Sequence, residues 1–393
     1  MGFSQALSGL NAAATNLDVI GNNIANSQTV GFKAGRTLFA DVFAGAQAGL
    51  GTKVAAVMQT FNSGTLENTG RNLDVAISGN GFFRLIQNGE AVYSRNGQFN
   101  LDASGYIVNA QGARLTGYSE GVIGSDPEPI FISTGGLQAT ATTQVNATLN
   151  LDSATDAIDR GTVAFDPADD ATYSYTSNIT IYDSQGNAHP TTLYFSKVAD
   201  NSWEVNMSRG GELATNTGSI TFDVNGVLDT VTNLDSFQFS PGGGVADLDL
   251  ALDLDGTTQF GNDFELTAAT QDGYAAGSLV GIVIDDRGNV VANYANAQTR
   301  VLSTITIANF TNPEGLEPIG DNVWVESPAS GQPIENSPGV GLAGTVSSGV
   351  VENSNVDLTR ELVNLIIAQR NYQANAQTIK VQDEVLQSAV NLR

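Results

Sequence analysis

Few side chains in this sequence could carry out catalysis or bind a metal. The chain has one histidine, His189, and no cysteine, which excludes disulfides and thiolate chemistry and disfavours both a catalytic triad and a zinc site. His189 follows the run DSQG and precedes Pro190, which indicates a surface loop residue. The 41 acidic residues leave a carboxylate pair at glycosidase spacing open, because nothing in the linear sequence selects one.

Two short runs have the spacing of ligand-binding motifs. GVGLAG at 339–344 matches a dinucleotide-binding loop, but it lies in a Pro-rich connector, with no strand before it and no helix opening after it. DLDLALDLDG at 247–256 resembles a calcium-binding EF-hand loop. If Gly256 is aligned with the invariant glycine of that loop, however, Ala251 takes the first ligand position and Asn262 takes the position of the bidentate glutamate. Alternating Leu and Asp instead predict a strand with one apolar face, and a weak ion site at 247–255 stays open. We therefore expect no enzyme activity, no cofactor and no metal.

Composition and charge restrict the function further. A length of 393 residues with 41% hydrophobic and 15% charged residues predicts two to three folded domains. The net charge is −25, but residues 1–40 carry +1 and residues 355–393 carry 0, so residues 41–354 carry −26. Such a body repels phosphate, which argues against nucleic acid and anionic lipid as partners. No apolar run approaches the roughly 18 residues needed to span a bilayer, so we expect no membrane insertion.

Apolar and small residues recur with a 3.5-residue period at both ends of the chain, which predicts a long helix at each end. The predicted assembly seam consists of Phe3, Leu7, Leu10, Ala14, Leu17 and Ile24, followed near the C-terminus by Leu358, Leu362, Leu365, Tyr372, Ala376, Ile379, Leu386 and Val390. Asn375 falls off this seam. An apolar helix stripe that stays in water loses the roughly 25 cal/mol of stabilisation that burial of each Å² would give. The 3.5-residue period therefore favours helices packed on helices and hence self-assembly. Packing of both helices onto β domains is the alternative.

Between the helices, short β-rich runs alternate with turn signals. Asn-Gly pairs occur at 80–81, 88–89 and 96–97, and Asp-x-x-Gly occurs at 102–105, 183–186, 223–226 and 285–288. The predicted fold class is multidomain: paired, coiled-coil-like terminal α-helices with two mainly β domains between them, the second inserted in the first. The predicted boundaries are 1–30 plus 355–393 for the helical domain, 31–70 plus 346–354 for an extended linker, 71–145 plus 273–345 for the inner β domain, and 146–272 for the inserted outer β domain. Few apolar residues and several glycines between 45 and 72 predict that this stretch docks weakly and could slide.

The stretch ANSQTVGFK at 25–33 resembles a signature of the axial proteins of the bacterial flagellum. The matching positions are Ala25, Asn26, Thr29, Gly31, Phe32 and Lys33. Similarity to the hook proteins within that family continues through LDVAISGNGFFRL, YSRNGQFNLDASG, GDNVW and the C-terminal ELVNLIIAQRNYQANAQTIKVQDEVLQSAVNLR. On the residues alone, Asn26 and Gly31 suit a helix end followed by a turn, so a purely structural role explains the signature equally well.

The resemblance implies a structural subunit of the flagellar hook, a flexible tubular helical polymer that acts as a universal joint between motor-driven rod and filament. It implies as partners further copies of the chain, the distal rod protein, the hook cap, the hook-filament junction protein, the hook-length control protein and the flagellar type III export apparatus. It also implies an extracellular location in the hook-basal body, reached without a cleaved signal peptide. A distal rod subunit and a secreted β-rich carbohydrate-binding protein are the alternatives.

Overall fold

A computed structural model of the chain describes residues 2–42, 51–119, 122, 124–133, 135–242 and 244–391, with side chains for those between 3 and 388. Over these residues it has an N-terminal helix, Gly2–Ala25, and a C-terminal helix, Leu358–Asn391, with short 3₁₀ turns at Asp170–Thr172 and Pro313–Gly315. Neither long helix has the length and apolar content to cross a membrane. The chain is thus a mostly β body between two terminal helices, as the sequence predicts.

The ends of the two helices follow from local hydrogen bonds. Asp357 caps the C-terminal helix, because its side-chain oxygen accepts from the Arg360 amide at 3.1 Å and its carbonyl accepts from the Glu361 amide at 2.9 Å. At the end of the N-terminal helix, the Asn26 side-chain amide donates to the Asn22 carbonyl at 3.0 Å. The backbone then turns away through Gly31, at a φ of +72°.

The chain divides into two compact units. Unit 1 comprises Met1–Ser133, Gly281–Ala292 and Thr299–Arg393, and unit 2 comprises Thr134–Val280 and Asn293–Gln298. Three antiparallel strand pairs lie near the helices in sequence: Gly35–Asp41 with Thr52–Gln59, Leu66–Asn68 with Val350–Glu352, and Val75–Ser78 with Thr345–Ser348. The first of these pairs is a hairpin within the segment that the sequence assigns to a linker.

The largest sheet has thirteen described strands. Eight form a continuous path, in the order Leu279–Ile284, Asn289–Tyr294, Thr299–Ile305, Arg114–Ser119, Phe82–Gln87, Glu90–Ser94, Val323–Val325 and Glu317–Gly320. The other five are Asn100–Leu101, Ile107–Val108, Glu128–Pro129, Ile307–Asn309 and Ile334–Asn336. Asn88-Gly89 forms the hairpin turn between two central strands, with both residues at positive φ.

Unit 2 contains two sheets. The five-stranded sheet consists of Gln144–Asp152, Phe237–Phe239, Leu248–Asp253, Thr258–Phe260 and Glu265–Gln271. The six-stranded sheet consists of Tyr175–Tyr182, Ala188–Ala199, Ser202–Arg209, Glu212–Leu213, Gly218–Phe222 and Leu228–Thr232. Buried side chains of both sheets, such as Leu149 and Trp203, share one core. The strand Leu248–Asp253 buries its leucines and turns its aspartates outward, which confirms the strand interpretation of that run.

One turn design recurs through both units. An Asp or Asn oxygen accepts the backbone N–H groups two and four residues later, at 2.8–3.1 Å, and the glycine three residues later has a φ between 78° and 88°. The turns begin at Asp102, Asn109, Asp183, Asp223 and Asp285. Four of them are the predicted Asp-x-x-Gly turns, and Asn109 is the asparagine version that the sequence reading missed.

Candidate assembly interface

The terminal helices pack against each other in opposite directions, since Gly9 lies near Asn375 while Asn23 lies near Asn364. A Cβ atom placed on Gly9 would lie 3.0 Å from the side chain of Asn375, so the helices approach closely there. Toward the other end of the pair, Asn16 and Asn23 of the N-terminal helix line one cleft together with Asn364 of the C-terminal helix. Small residues and asparagines of both helices therefore contribute to this contact within the chain.

The predicted seam residues divide into two groups. Leu10, Ala14, Leu17, Ile24, Leu365, Ala376 and Ile379 are half-buried, whereas Phe3, Leu7, Leu358, Leu362, Tyr372 and Leu386 are exposed, and Val390 lies outside the described side chains. The most deeply buried residues of the helices include Ala6, Ala12, Ile20 and Ala368. Asn375, which the sequence places off the assembly seam, faces Gly9 in the contact within the chain. The 3.5-residue period locates an apolar stripe and does not say which side of it the partner helix takes.

Two groups of apolar side chains on the C-terminal helix are exposed in the single chain. Leu362, Val363, Ile366 and Ile367 are each 45–52% exposed, and Val385 and Leu386 reach 60–62%. Solvated helix faces are normally polar, so this composition is typical of a surface that is buried in an assembly. We call the group Leu358, Leu362, Val363, Ile366 and Ile367 the outer apolar face.

The signature at 25–33 ends the N-terminal helix and enters the body of unit 1. Ala25 is the last helical residue, and the Thr29 hydroxyl donates to the Asn26 side-chain oxygen at 3.1 Å. A Cβ on Gly31 would lie 2.6 Å from the Asn96 backbone nitrogen, so any other residue would clash as well as strain the turn. Phe32 and Lys33 are buried. The six signature residues thus end the N-terminal helix and connect it to the body of unit 1.

Lys33 belongs to a buried ion cluster that the sequence reading did not find. Its ammonium lies 2.7 Å from one carboxylate oxygen of Glu352, and the Arg95 guanidinium lies 3.2 Å from the other. The side chains of Lys33 and Glu352 have no exposed surface and that of Arg95 is 2% exposed. Backbone carbonyls of Asn62 and Gly79 accept further hydrogen bonds from the two cations, at 2.9 and 2.7 Å.

The electrostatics of this cluster make its members interdependent. Burial lowers the pKa of Lys33 and that of Arg95, and the Glu352 carboxylate opposes both shifts by favouring the charged forms. Removing one partner of such a buried pair costs about 3–5 kcal/mol, because the remaining charge is left without compensation. Nothing in the linear sequence pairs Lys33 with an acid 319 residues away, so this cluster could not be identified from the sequence.

The segment after the signature is also firmly docked, and its described residues from 51 onward contradict the weak docking expected for 45–72. Gly35 exchanges two hydrogen bonds with the Asn23 side chain, at 2.8 and 2.9 Å. The Asn355 side chain accepts from the Ala34 amide at 2.8 Å and donates to the Thr60 carbonyl at 2.7 Å. Phe61 packs edge-on against Trp324, with ring centroids 5.5 Å apart. Contacts of this number and burial make sliding of the docked segment costly.

The groups considered for chemistry have structural surroundings. His189 lies in a strand and its ring nitrogen is 2.8 Å from the Asp183 carboxylate, so the surface-loop interpretation was wrong. Burial opposes ionisation of Asp183, yet hydrogen bonds from His189 and Asn187 hold its pKa well below the usual range. Among the described residues no group of three potential metal ligands converges. GVGLAG forms turns between strands, as its context predicts.

Family models match four parts of the chain. Residues 4–33 match "Flagella basal body rod protein", 76–151 match "Flagellar hook protein FlgE/F/G D1 domain", 150–274 match "Flagellar basal body protein FlaE D2 domain", and 347–392 match "Flagellar basal body rod FlgEFG protein C-terminal". Among solved structures, the flagellar hook protein FlgE2 of Helicobacter pylori is 15% identical, with a TM-score of 0.54 over 71% of this chain and 98% of that one. At this identity the likeness shows a shared fold.

Full-length relatives are more similar. The chain is 48% identical to the flagellar hook protein FlgE of Salmonella typhimurium and 47% identical to that of Escherichia coli, with 100% of each chain covered in both cases. It is 33% identical to the FlgE of Borreliella burgdorferi over 98% of each chain. Because this identity extends from the N-terminal helix through both units to the C-terminal helix, the chain belongs to the flagellar hook protein FlgE family.

Proposed function

We propose that this chain is the structural subunit of a flagellar hook, which self-assembles through its terminal helices into a tubular polymer. The polymer serves as a flexible universal joint that transmits motor torque from rod to filament. Family membership over the full chain supports this assignment. It favours a hook subunit over a distal rod subunit or a secreted carbohydrate-binding protein, because the full-length relatives carry the hook protein name.

The outer apolar face is the observation that carries the proposal. The N-terminal helix packs beside small and asparagine residues of the C-terminal helix and leaves Leu362, Ile366 and Ile367 half exposed. Burying such side chains against another copy recovers the free energy that they forgo in water. We propose a coiled-coil-like pairing of the helices within each subunit and neighbouring subunits against the outer apolar face.

The same proposal assigns roles to the β domains. We take residues 71–145 plus 273–345 as an inner domain that stacks around the helices, and 146–272 as an outer domain inserted in it. The crossing points support such an insertion, since Val145 pairs with Gln271 in adjacent strands and Thr140 bridges to Tyr274. Two chain segments that enter and leave side by side are what an inserted domain requires.

Partners and location extend the proposal by family resemblance. We place the chain outside the cell, in the hook-basal body, after delivery through the flagellar type III export apparatus. Copies of the chain would meet the distal rod protein at one end of the polymer and the hook-filament junction protein at the other. The hook cap and the hook-length control protein would act during growth.

Electron microscopy of the purified chain tests the assignment. Full-length protein concentrated in ammonium sulfate is expected to form hollow tubes that bend, and a rod subunit would give straight, stiff shafts. A chain that stays monomeric under all conditions, or that binds glycans on an array while remaining monomeric, would contradict the proposal.

A further inference from the structure

The buried ion cluster joins three parts of the chain that are far apart in sequence. Lys33 ends the signature, Arg95 follows the strand Glu90–Ser94 in the β body, and Glu352 ends the strand Val350–Glu352 just before the C-terminal helix. The cluster contains two cations and one carboxylate, and the carboxylate belongs to a segment that is synthesised after the segments of both cations.

Backbone contacts tie the same two chain ends together at Glu352. The Gly31 amide donates to the Glu352 carbonyl at 2.7 Å, and the Gly64 amide donates to its carboxylate at 2.8 Å. Strand Leu66–Asn68 pairs with Val350–Glu352 directly beside these bonds. Gly31, which precedes the hairpin Gly35–Gln59, and Gly64, which follows it, are therefore both hydrogen-bonded to Glu352.

Without Glu352, docking of the N-terminal segment would bury two like charges together. Lys33 would retain the Asn62 carbonyl and Arg95 the Gly79 carbonyl, but neither cation would have a counter-charge. An uncompensated buried charge is strongly disfavoured, and a second cation nearby makes it worse. Leaving Lys33 in water avoids this cost, at the expense of the contacts that residues 31–68 make with the body.

We infer that Glu352 controls the docking of both chain ends: residues 31–68 dock only together with residues 350–355, as one cooperative unit that opens and closes separately from the β body. A chain in which Glu352 has not yet reached its place keeps its signature and hairpin undocked. The N-terminal segment thus stays accessible until the C-terminal segment arrives, although the body that holds Arg95 can already be folded.

Native-state hydrogen exchange on the full-length chain tests this inference, with Glu352→Gln as the main variant. Glutamine keeps the shape of the side chain and removes its charge. The Asn353 amide also links the chain ends, since it donates to the Thr65 carbonyl at 2.9 Å. We expect the amides of Gly31, Gly64 and Asn353 to lose protection by a common factor on the order of 100 or more. The amides of the body strand Phe82–Gln87 should retain wild-type protection. Glu335→Gln, which removes the partner of Arg84 within the body, is the matched control and should leave the chain ends protected.

Lys33→Met separates a charge effect from a loss of packing. It leaves Arg95 and Glu352 as a neutral pair, so the chain ends should remain much better protected than in Glu352→Gln. Adding Lys33→Met to Glu352→Gln should restore part of the lost protection, since it removes one of the two uncompensated cations. Equal losses in Lys33→Met and Glu352→Gln would overturn the inference. So would protection of Gly31 that survives in Glu352→Gln, or loss of protection throughout the body as well.

Discussion

The outer apolar face allows a quantitative prediction at Ile366. This side chain is 51% exposed in the single subunit, and full burial of an isoleucine is worth about 1.5–3 kcal/mol. Covering the remaining half in the polymer therefore contributes about 1 kcal/mol per subunit. Ile366→Ala should raise the critical concentration for assembly about fivefold. Ile366→Asp places an unpaired charge in the interface, which costs several kcal/mol and should abolish assembly.

The assay is sedimentation of polymer from purified full-length protein over a range of concentrations. Circular dichroism of each variant checks that the helices remain folded. Val224→Asp is the control, because Val224 is 94% exposed in a turn of unit 2. This variant also replaces an aliphatic side chain by a carboxylate, but away from the helices. The reasoning is refuted if Ile366→Asp assembles at the wild-type critical concentration, or if Val224→Asp impairs assembly equally.

Three further predictions concern the β domains and the charge. Deleting residues 146–270 and bridging Val145 to Gln271 with a short Gly-Ser turn should still give tubes, straighter ones by electron microscopy; failure to assemble would count against a dispensable outer domain. Hydrogen bonds from the Val227 amide and the Asn225 side chain lower the pKa of Asp223. Ionised Asp223 therefore stabilises the folded state at pH values above the pKa of an unfolded aspartate, and this stabilisation is lost as pH falls through the lower pKa of the folded state. Acid unfolding followed by circular dichroism should show a stability that depends less on pH in Asp223→Asn than in the wild type. The critical concentration for assembly should fall as NaCl rises and fall further in ammonium sulfate at matched ionic strength. The net charge of −26 on residues 41–354 makes neighbouring subunits repel each other over ~30 Å at 0.01 M salt but only ~8 Å at 0.15 M, and sulfate also strengthens apolar burial. A critical concentration that rises with salt would mean that attractive ion pairs between subunits dominate.

Local sequence signals predicted the local structure well. The Asp-x-x-Gly turns depend only on residues within one loop, since the aspartate oxygen bonds amides two and four positions later. The alternating strand at Leu248–Asp253 is equally local. Such features need no information about the rest of the chain, which is why the pattern sufficed for them.

Contacts between distant residues were not accessible to the same reasoning. Asn375 faces Gly9 because the two helices approach closely there, and an apolar period carries no information about that choice. Lys33 and Glu352 are 319 residues apart, and either alone reads as an ordinary surface charge. The weak docking expected for residues 45–72 was wrong for this reason, since the contacts that hold the described part of this segment come from both the body and the C-terminal end.

The central claim is that copies of this chain assemble through their terminal helices. The most direct test is an electron cryomicroscopy reconstruction of the polymer formed by the full-length chain. Our account predicts a hollow tube whose innermost layer is the two terminal helices, with Leu362 and Ile366 buried against a neighbouring subunit. A polymer in which these side chains face solvent, while the β domains alone make the contacts between subunits, would contradict it.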